Sequence, residues 1–250
     1  MTTTGDCGEI VTLVARMEHL VERMRAQNRQ FVTDASHELG TPLAGLRLWL
    51  EEARMHPGQT DLDDLVRHAL REVDRIQAII GDMLMLARLN ADSPEPLLAI
   101  DMADLVREEV RARRHVLPIH LDLEEGLIVG GVSGTLARLL GNLLDNAERH
   151  GRSAVRVSVL SEGGEVLVMV DDDGLGVPPQ ERERVFNHFA RTDSARSRGH
   201  GGSGLGLPIA LAIAEAHSGT LTAQESDMGG ARFMLRLPLL YVDAMASEVS

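Results

Sequence analysis

The chain contains no lysine: all 25 of its basic side chains are arginine. That absence removes every chemistry needing a lysine amine, including the phosphate loop GxxxxGK[ST] and the strand lysine of eukaryotic-type protein kinases. Cysteine is almost missing too. With Cys7 alone, no disulfide framework or cysteine-based zinc cluster can form within the chain, and a reducing compartment fits. Aromatics are 2% of the residues, which leaves little to stack on bases and forces any core to be built from Leu, Val, Ile, Ala and Met. Positive charge is in deficit, with a formal net charge of -13, so the chain repels phosphate backbones and no direct nucleic acid binding is expected. No apolar run approaches the ~20 residues of a spanning helix and Met1 opens no signal-peptide pattern, so this sequence reads as soluble.

What is present suffices for real cores: 44% of the 250 residues are hydrophobic, a length that suits about two domains. From Ile10 the apolar positions Leu13, Val14, Met17, Leu20, Val21, Met24 and Phe31 alternate three and four apart, and the pattern resumes through Ala35, Leu39, Leu43, Leu46 and Leu50. That spacing is the seam of a helical bundle. It stops at the turn cluster His56, Pro57 and Gly58; Thr60 with Asp63 then resembles a capping box, and a second seam runs from Leu62 to Ala87. The expectation is an antiparallel helical hairpin. A lone hairpin cannot hide both apolar stripes, so two chains are expected to pair into a four-helix bundle, a homodimer.

Asp92 to Pro96, with two prolines and two acids, reads as a linker. Beyond it strand-like runs at Leu97 to Ile100, Ile119 to Leu123, Ala154 to Leu160, Val166 to Asp171, Thr220 to Gln224 and Ala231 to Leu237 alternate with helix-like segments Met102 to Arg114, Gly134 to His150 and Gly206 to His217. The predicted fold class is therefore α plus α/β, a hairpin followed by an α/β sandwich with a mixed sheet. Its parts are a coiled-coil helix over 1–30, a dimerisation segment over 31–91 and a sandwich domain over 97–240.

Three clusters in the second half suit a nucleotide. In NLLDNAERHG, Asn142 and Asn146 stand four apart on one helix face, where amide oxygens can ligate magnesium without adding charge. In VDDDGLGV, Asp172 ends a strand ahead of Gly174 and Gly176, a carboxylate acceptor for an exocyclic amine beside backbone that permits close approach. In GGSGLGLP, Gly202, Gly204 and Gly206 precede a helix with Pro208 in its first turn, so free amides and the helix dipole can face phosphates. Between the last two lies a locally positive segment with Arg182, Arg184, Arg191, Arg196 and Arg198 against Glu181, Glu183 and Asp193, anchored by Phe186 and Phe189, which reads as a lid. Each cluster alone is an ordinary polar face or turn. Their order is informative, because they follow SHELGTPL at Ser36 to Leu43, where a histidine stands beside a glutamate on a helix.

This arrangement resembles the sensor histidine kinases of two-component systems over almost the whole chain: an H box at Ser36 to Leu43, an N box at Asn142 to His150, a DxGxG box at Asp172 to Gly176, an FxxF box at Phe186 to Phe189 and a GxGLGL box at Gly202 to Leu207. The resemblance implies a dimerisation and histidine phosphotransfer hairpin followed by an ATP-binding domain of the gyrase, Hsp90, histidine kinase and MutL (GHKL) type. It also implies ATP and Mg2+, with Asn146 and Asn142 at the metal, Arg149 at the phosphates, Asp172 at the adenine, and Gly174, Gly176, Gly202, Gly204, Leu205 and Gly206 around the nucleotide. His37 is then the nucleophile, Glu38 accepts the proton of its other ring nitrogen, and Thr41, one turn on, orients water for dephosphorylation of the partner, a receiver-domain response regulator.

Two positions depart from the family pattern. Gly40 stands where these kinases usually carry arginine, and with Pro42 it predicts a bend after the phosphorylation site. Arg149 replaces the usual lysine and keeps the charge. The opening GDCGEIVTLVARMEHL resembles the last helix of a HAMP module, which implies the cytoplasmic portion of a membrane sensor. The alternative is a hydrolytic GHKL ATPase or chaperone, which typically carries a water-activating glutamate where this chain has Asn142. His19, His56, His68, His115, His120, His188, His200 and His217 read as solvated or structural, His150 adjoins the N box, and Trp49 reads as a bundle-facing aromatic.

Overall fold

The computed structural model describes residues 5–56, 61–89, 96–190 and 204–240. Several expectations therefore lie outside the described residues: the turn at Pro57 and Gly58, the Thr60 cap, the linker up to Glu95, Gly202, and the arginines of the expected lid from Arg191 onward. Contacts divide the chain into two units, Met1–Ile79 and Ile80–Ser250.

Two long helices form a hairpin, α1 (Gly5–Met55) and α2 (Leu62–Leu89); the first unit holds α1 and α2 as far as Ile79, and the rest of α2 falls in the second. Helix α1 runs unbroken through Gly40 and Pro42. Pro42 has no amide to give to the Glu38 carbonyl, and the Thr41 hydroxyl donates to the neighbouring His37 carbonyl, 3.2 Å away. Helix α2 starts one residue after Asp61, whose carboxylate accepts from the amides of Asp63 at 2.9 Å and Asp64 at 3.5 Å. The N-terminal cap is therefore Asp61, which satisfies two amides that the first turn leaves free. Trp49 of α1 stacks on the His68 ring of α2, centroids 4.1 Å apart and planes 19° apart, so it joins the two helices. Ala35 and Ile79 are buried, yet Leu43, Leu50, Val66 and Leu70 remain about half exposed: the hairpin leaves much of its apolar stripe uncovered.

The second unit contains β1 (Leu98–Asp101), α3 (Met102–Ala112), β2 (Ile119–Leu123), β3 (Ile128–Gly131), α4 (Ser133–His150), β4 (Val155–Glu162) and β5 (Glu165–Asp172). Two 3₁₀ turns, Pro179–Glu181 and Arg184–Phe186, precede α5 (Gly206–Ala216), β6 (Thr220–Glu225) and β7 (Ala231–Pro238). The main sheet has the order β2-β4-β5-β7-β6; β2 and β4 are parallel and every other pair is antiparallel, so the sheet is mixed as expected. Strand β3 was not anticipated. Its four residues, IVGG, are too short to show a period, and it exists by pairing antiparallel with β1 in a separate two-stranded sheet.

Alternation builds the core. Val155, Val157 and Val159 of β4, Val166, Val168 and Val170 of β5, and Phe233, Leu235 and Leu237 of β7 are all buried at every second position. Helix α4 covers them with Leu136, Leu139, Leu140, Leu143, Leu144 and Ala147, spaced three and four apart and each 3% exposed or less. Each such leucine stabilises the unit by about 1.5–3 kcal/mol relative to an exposed one. Helix α5 adds Ile209, Ala210, Ile213 and Ala214. With aromatics scarce, one edge-to-face pair stands out: Phe186 on Phe233, centroids 6.2 Å apart at 88°.

Candidate functional site

Packing of one face of α4 into the core leaves its other face for polar groups, and neighbouring loops converge on that helix. Strand β5 ends at Asp172, which is 1% exposed. Its Oδ1 accepts from the amides of Gly174 at 2.8 Å and Ala231 at 3.2 Å. Its Oδ2 is buried and has no hydrogen-bond partner among the described residues. Burial pushes the Asp172 carboxyl above the usual carboxylate range; the two backbone donors and nearby His150 oppose that shift. A buried carboxylate oxygen with nothing to accept from is a costly arrangement unless a donor arrives from outside.

A second orphan lies on α4 itself: Nδ2 of Asn142 is buried and unpartnered among the described residues. A Cβ placed on Gly206, the first residue of α5, would lie 3.7 Å from the Asn142 carboxamide. The glycine-rich start of α5 is thus held against the N-box face. Its geometry depends on Gly204, whose φ is 69° and whose missing Cβ would come within 2.8 Å of the Phe189 Cα. The Phe189 amide donates to the Gly204 carbonyl at 2.9 Å, so the FxxF segment is fastened to the glycine box, with Leu205 fully buried behind it. Gly176, at φ 71°, packs against Gly230.

Asn146 is half-buried and Arg149 exposed on the same α4 face as Asn142. Two groups of the expected residues are thus brought together: Asp172 with Gly174 beside Ala231 and Gly176 against Gly230, and Asn142 against Gly206 with Gly204 and Leu205 at the start of α5, while Gly202 lies outside the described residues. His37, Glu38 and Thr41 belong to the other unit. There His37 and Thr41 are exposed, Glu38 is half-buried, and the His37 ring makes no hydrogen bond or ion pair with the described residues.

Three supporting contacts escape sequence reading because each joins distant segments. The Asp173 carboxylate accepts from the amides of Arg152 at 2.7 Å and Ser153 at 3.0 Å and from the Ser153 hydroxyl, so the loop after β5 is tied to the end of α4. Those donors, with the Ser153 hydroxyl first, hold Asp173 far below the usual carboxylate range. His217 bridges the other end: its Nδ1 donates to the Ile213 carbonyl at 2.7 Å and its Nε2 accepts from the Val132 amide at 3.2 Å, which requires a neutral ring. Buried Asp171 pairs with Arg232 at 2.8 Å.

Residues 131–241 match the family described as histidine kinase-, DNA gyrase B- and HSP90-like ATPase, and residues 27–92 match the His Kinase A (phospho-acceptor) domain. The chain is 36% identical over 251 residues to the probable sensor histidine kinase TcrY of Mycobacterium tuberculosis (strain ATCC 25618 / H37Rv), covering 94% of this chain and 52% of TcrY. It is 38% identical over 220 residues to the signal transduction histidine-protein kinase/phosphatase MprB of Mycobacterium bovis (strain BCG / Pasteur 1173P2), covering 82% of this chain and 43% of MprB. Among solved structures, full-length ShkA in complex with AMPPNP matches 84% of this chain and 46% of its own at 27% identity and a TM-score of 0.60. The chain thus spans about half the length of these relatives. The phospho-acceptor match sets it apart from the hydrolytic ATPases and chaperones that share the second domain. With an exposed histidine in the one matched domain and a buried, unsatisfied aspartate in the other, the chain belongs to the sensor histidine kinases.

Proposed function

We propose that this chain moves the terminal phosphoryl group of ATP to His37 and then to an aspartate of a receiver-domain response regulator. The observation that carries the reading is the buried, unpartnered Oδ2 of Asp172, which suits the exocyclic amine of adenine. The AMPPNP named with ShkA, an ATP analogue, agrees with it. The amide oxygens of Asn142 and Asn146 would hold Mg2+, which when bound neutralises phosphate charge; no cluster of three His, Cys, Asp or Glu stands in for them among the described residues. Such a site depends on the phosphates to complete it, as magnesium sites commonly do. Arg149 and the amides at the start of α5 face the phosphates.

In the transfer, a lone pair on one ring nitrogen of neutral His37 forms the N–P bond while the bond from phosphorus to the departing ADP oxygen breaks. Glu38 takes the proton from the other ring nitrogen, so the product is phosphohistidine with an uncharged ring and an anionic phosphoryl group. Two chains pair through their hairpins: the groove lined by Leu43, Leu46, Arg47, Leu50, Glu51 and Arg54 offers an apolar floor with charges of both signs, which a second copy can complement. MprB is named a kinase/phosphatase, and in this chain Thr41 is the residue we assign to orienting water for hydrolysis of the regulator's phospho-aspartate, which releases inorganic phosphate. No helix among the described residues is long and apolar enough to cross a membrane, and we place this chain as the cytoplasmic portion of a membrane sensor.

The test is incubation with Mg2+ and ATP labelled on the terminal phosphate. Wild type should acquire label that is lost in acid and kept in alkali. His37→Gln should acquire none; full labelling of that variant removes His37 from the reaction.

A further inference from the structure

The chain gives up helix stability at Gly141, the residue just before Asn142 and a buried position inside α4. Glycine inside a helix costs about 1 kcal/mol relative to alanine. What occupies the space is Arg113, the residue that ends α3: a Cβ at position 141 would lie 2.0 Å from its Nη2 and 2.9 Å from its Cζ. The guanidinium lies across α4, donating to Asp145 Oδ1 at 2.6 Å and to the Gly141 carbonyl at 3.4 Å, with Glu109 Oε2 at 3.4 Å from its Nε.

Two residues on, His115 makes a second bridge. Its Nε2 donates to the Val110 carbonyl at 2.7 Å, and its Nδ1 lies 2.6 Å from Glu148 Oε1; both side chains are less than a fifth exposed. Gly141, Asp145 and Glu148 are spaced four and three apart and form one stripe of α4. Asn142, Asn146 and Arg149 form the same stripe advanced by one residue, about 100° around the helix. The gripped stripe and the nucleotide-facing stripe are adjacent edges of one rigid cylinder.

We propose that Arg113 and His115 are positioning residues, a clasp from the end of α3 that sets the rotation of α4 and so aims Asn142 and Asn146 at the phosphate end of the nucleotide. The proposal rests on the ATP reading above. A rotation of about 10° moves a group ~5–6 Å from the helix axis by about 1 Å, and a displacement of that size costs on the order of 10²-fold where it disturbs a reacting geometry. The adenine end is held by Asp172, which hangs from β5 and from the amides of Gly174 and Ala231. The clasp therefore bears directly on the phosphate end of the ligand and reaches the adenine end only through the tie of Asp173 to the loop after α4.

The experiment is titration of the full chain with MgATP and, separately, with adenosine. Arg113→Ala and Gly141→Ala should each weaken MgATP at least tenfold and raise its KM in autophosphorylation, while adenosine affinity stays within twofold. Gly141→Ala should add nothing further in an Arg113→Ala background, since the new methyl acts by expelling a side chain already removed. Asp145→Asn, which removes a charge and leaves the packing intact, should weaken MgATP severalfold in the same sense. Unchanged MgATP affinity in Arg113→Ala, equal losses for MgATP and adenosine, or additive effects of the two substitutions would each overturn the clasp. A wild type that binds neither ligand would overturn the ATP reading itself, whereas failure of the clasp shows only in the variants.

Discussion

Asp172→Asn separates binding from stability in a single substitution. Asparagine keeps the Oδ1 that accepts from Gly174 and Ala231 and replaces the unpartnered Oδ2 by an amide donor. An incoming amine then loses a hydrogen bond to a charged acceptor, about 1.5–3 kcal/mol, which weakens ATP roughly 10- to 150-fold. The same change should stabilise the free protein. Burial raises the Asp172 pKa, so the fold penalises its charged form; that penalty is present at neutral pH and is relieved as pH falls through the raised value. A neutral isostere removes it outright. The variant should melt above wild type at pH 7, with the gap closing toward acid, and wild-type ATP affinity should decline at a higher pH than an ordinary carboxylate would dictate. Calorimetric titration with ATP and melting curves across pH measure both. An asparagine variant that binds ATP within twofold of wild type, or that melts lower, refutes the role assigned to Oδ2.

Other outcomes follow from the same geometry. Thr41→Ala should retain most of the labelling at His37 and lose most of the dephosphorylation of a phosphorylated response regulator; equal rates for variant and wild type would leave the hydroxyl only its bond to the His37 carbonyl. Leu43→Glu with Leu50→Glu places charge on the exposed apolar stripe and should give a monomer by sedimentation at micromolar concentration, while an intact dimer would move the interface elsewhere. Asp173→Asn should lower Tm at neutral pH, because a depressed pKa contributes stability above the unfolded value that is lost as pH falls through the folded one. The variant's melting curve should accordingly respond less to acid; an acid response equal to that of wild type would contradict this.

Much of the architecture is legible along the chain because its signals are local and periodic. The three and four spacing of Leu136 to Ala147 locates α4 within a residue, and the same period places Asn142 and Asn146 on one face before any fold is known. The alternation in Val155 to Val159 and Val166 to Val170 marks β4 and β5, and Asp172 reads as a strand end because two glycines follow it nearby. Where the local signal is short or shared, sequence reading slips. IVGG is too brief to declare itself a strand. Asp61 stands next to the threonine expected to cap α2, and both residue types favour that position.

Periodicity along the chain determined the elements and the faces on which the boxes lie, because a residue's helical or strand preference and its polarity act within a few positions of itself. The tertiary structure alone decided which polar groups meet. Gly141 reads as an unexplained weakness in a helix until Arg113, 28 residues away, is seen lying across it. Asp173 reads as one of three equivalent acids until the turn at Arg152 and Ser153 turns its donors toward it. His217 reads as solvated or structural, and which of the two is decided only when Val132, 85 residues earlier, presents its amide. A hydrogen bond requires a partner at about 3 Å with the right alignment, and that condition is met only once the sheet order β2-β4-β5-β7-β6 has brought distant segments together.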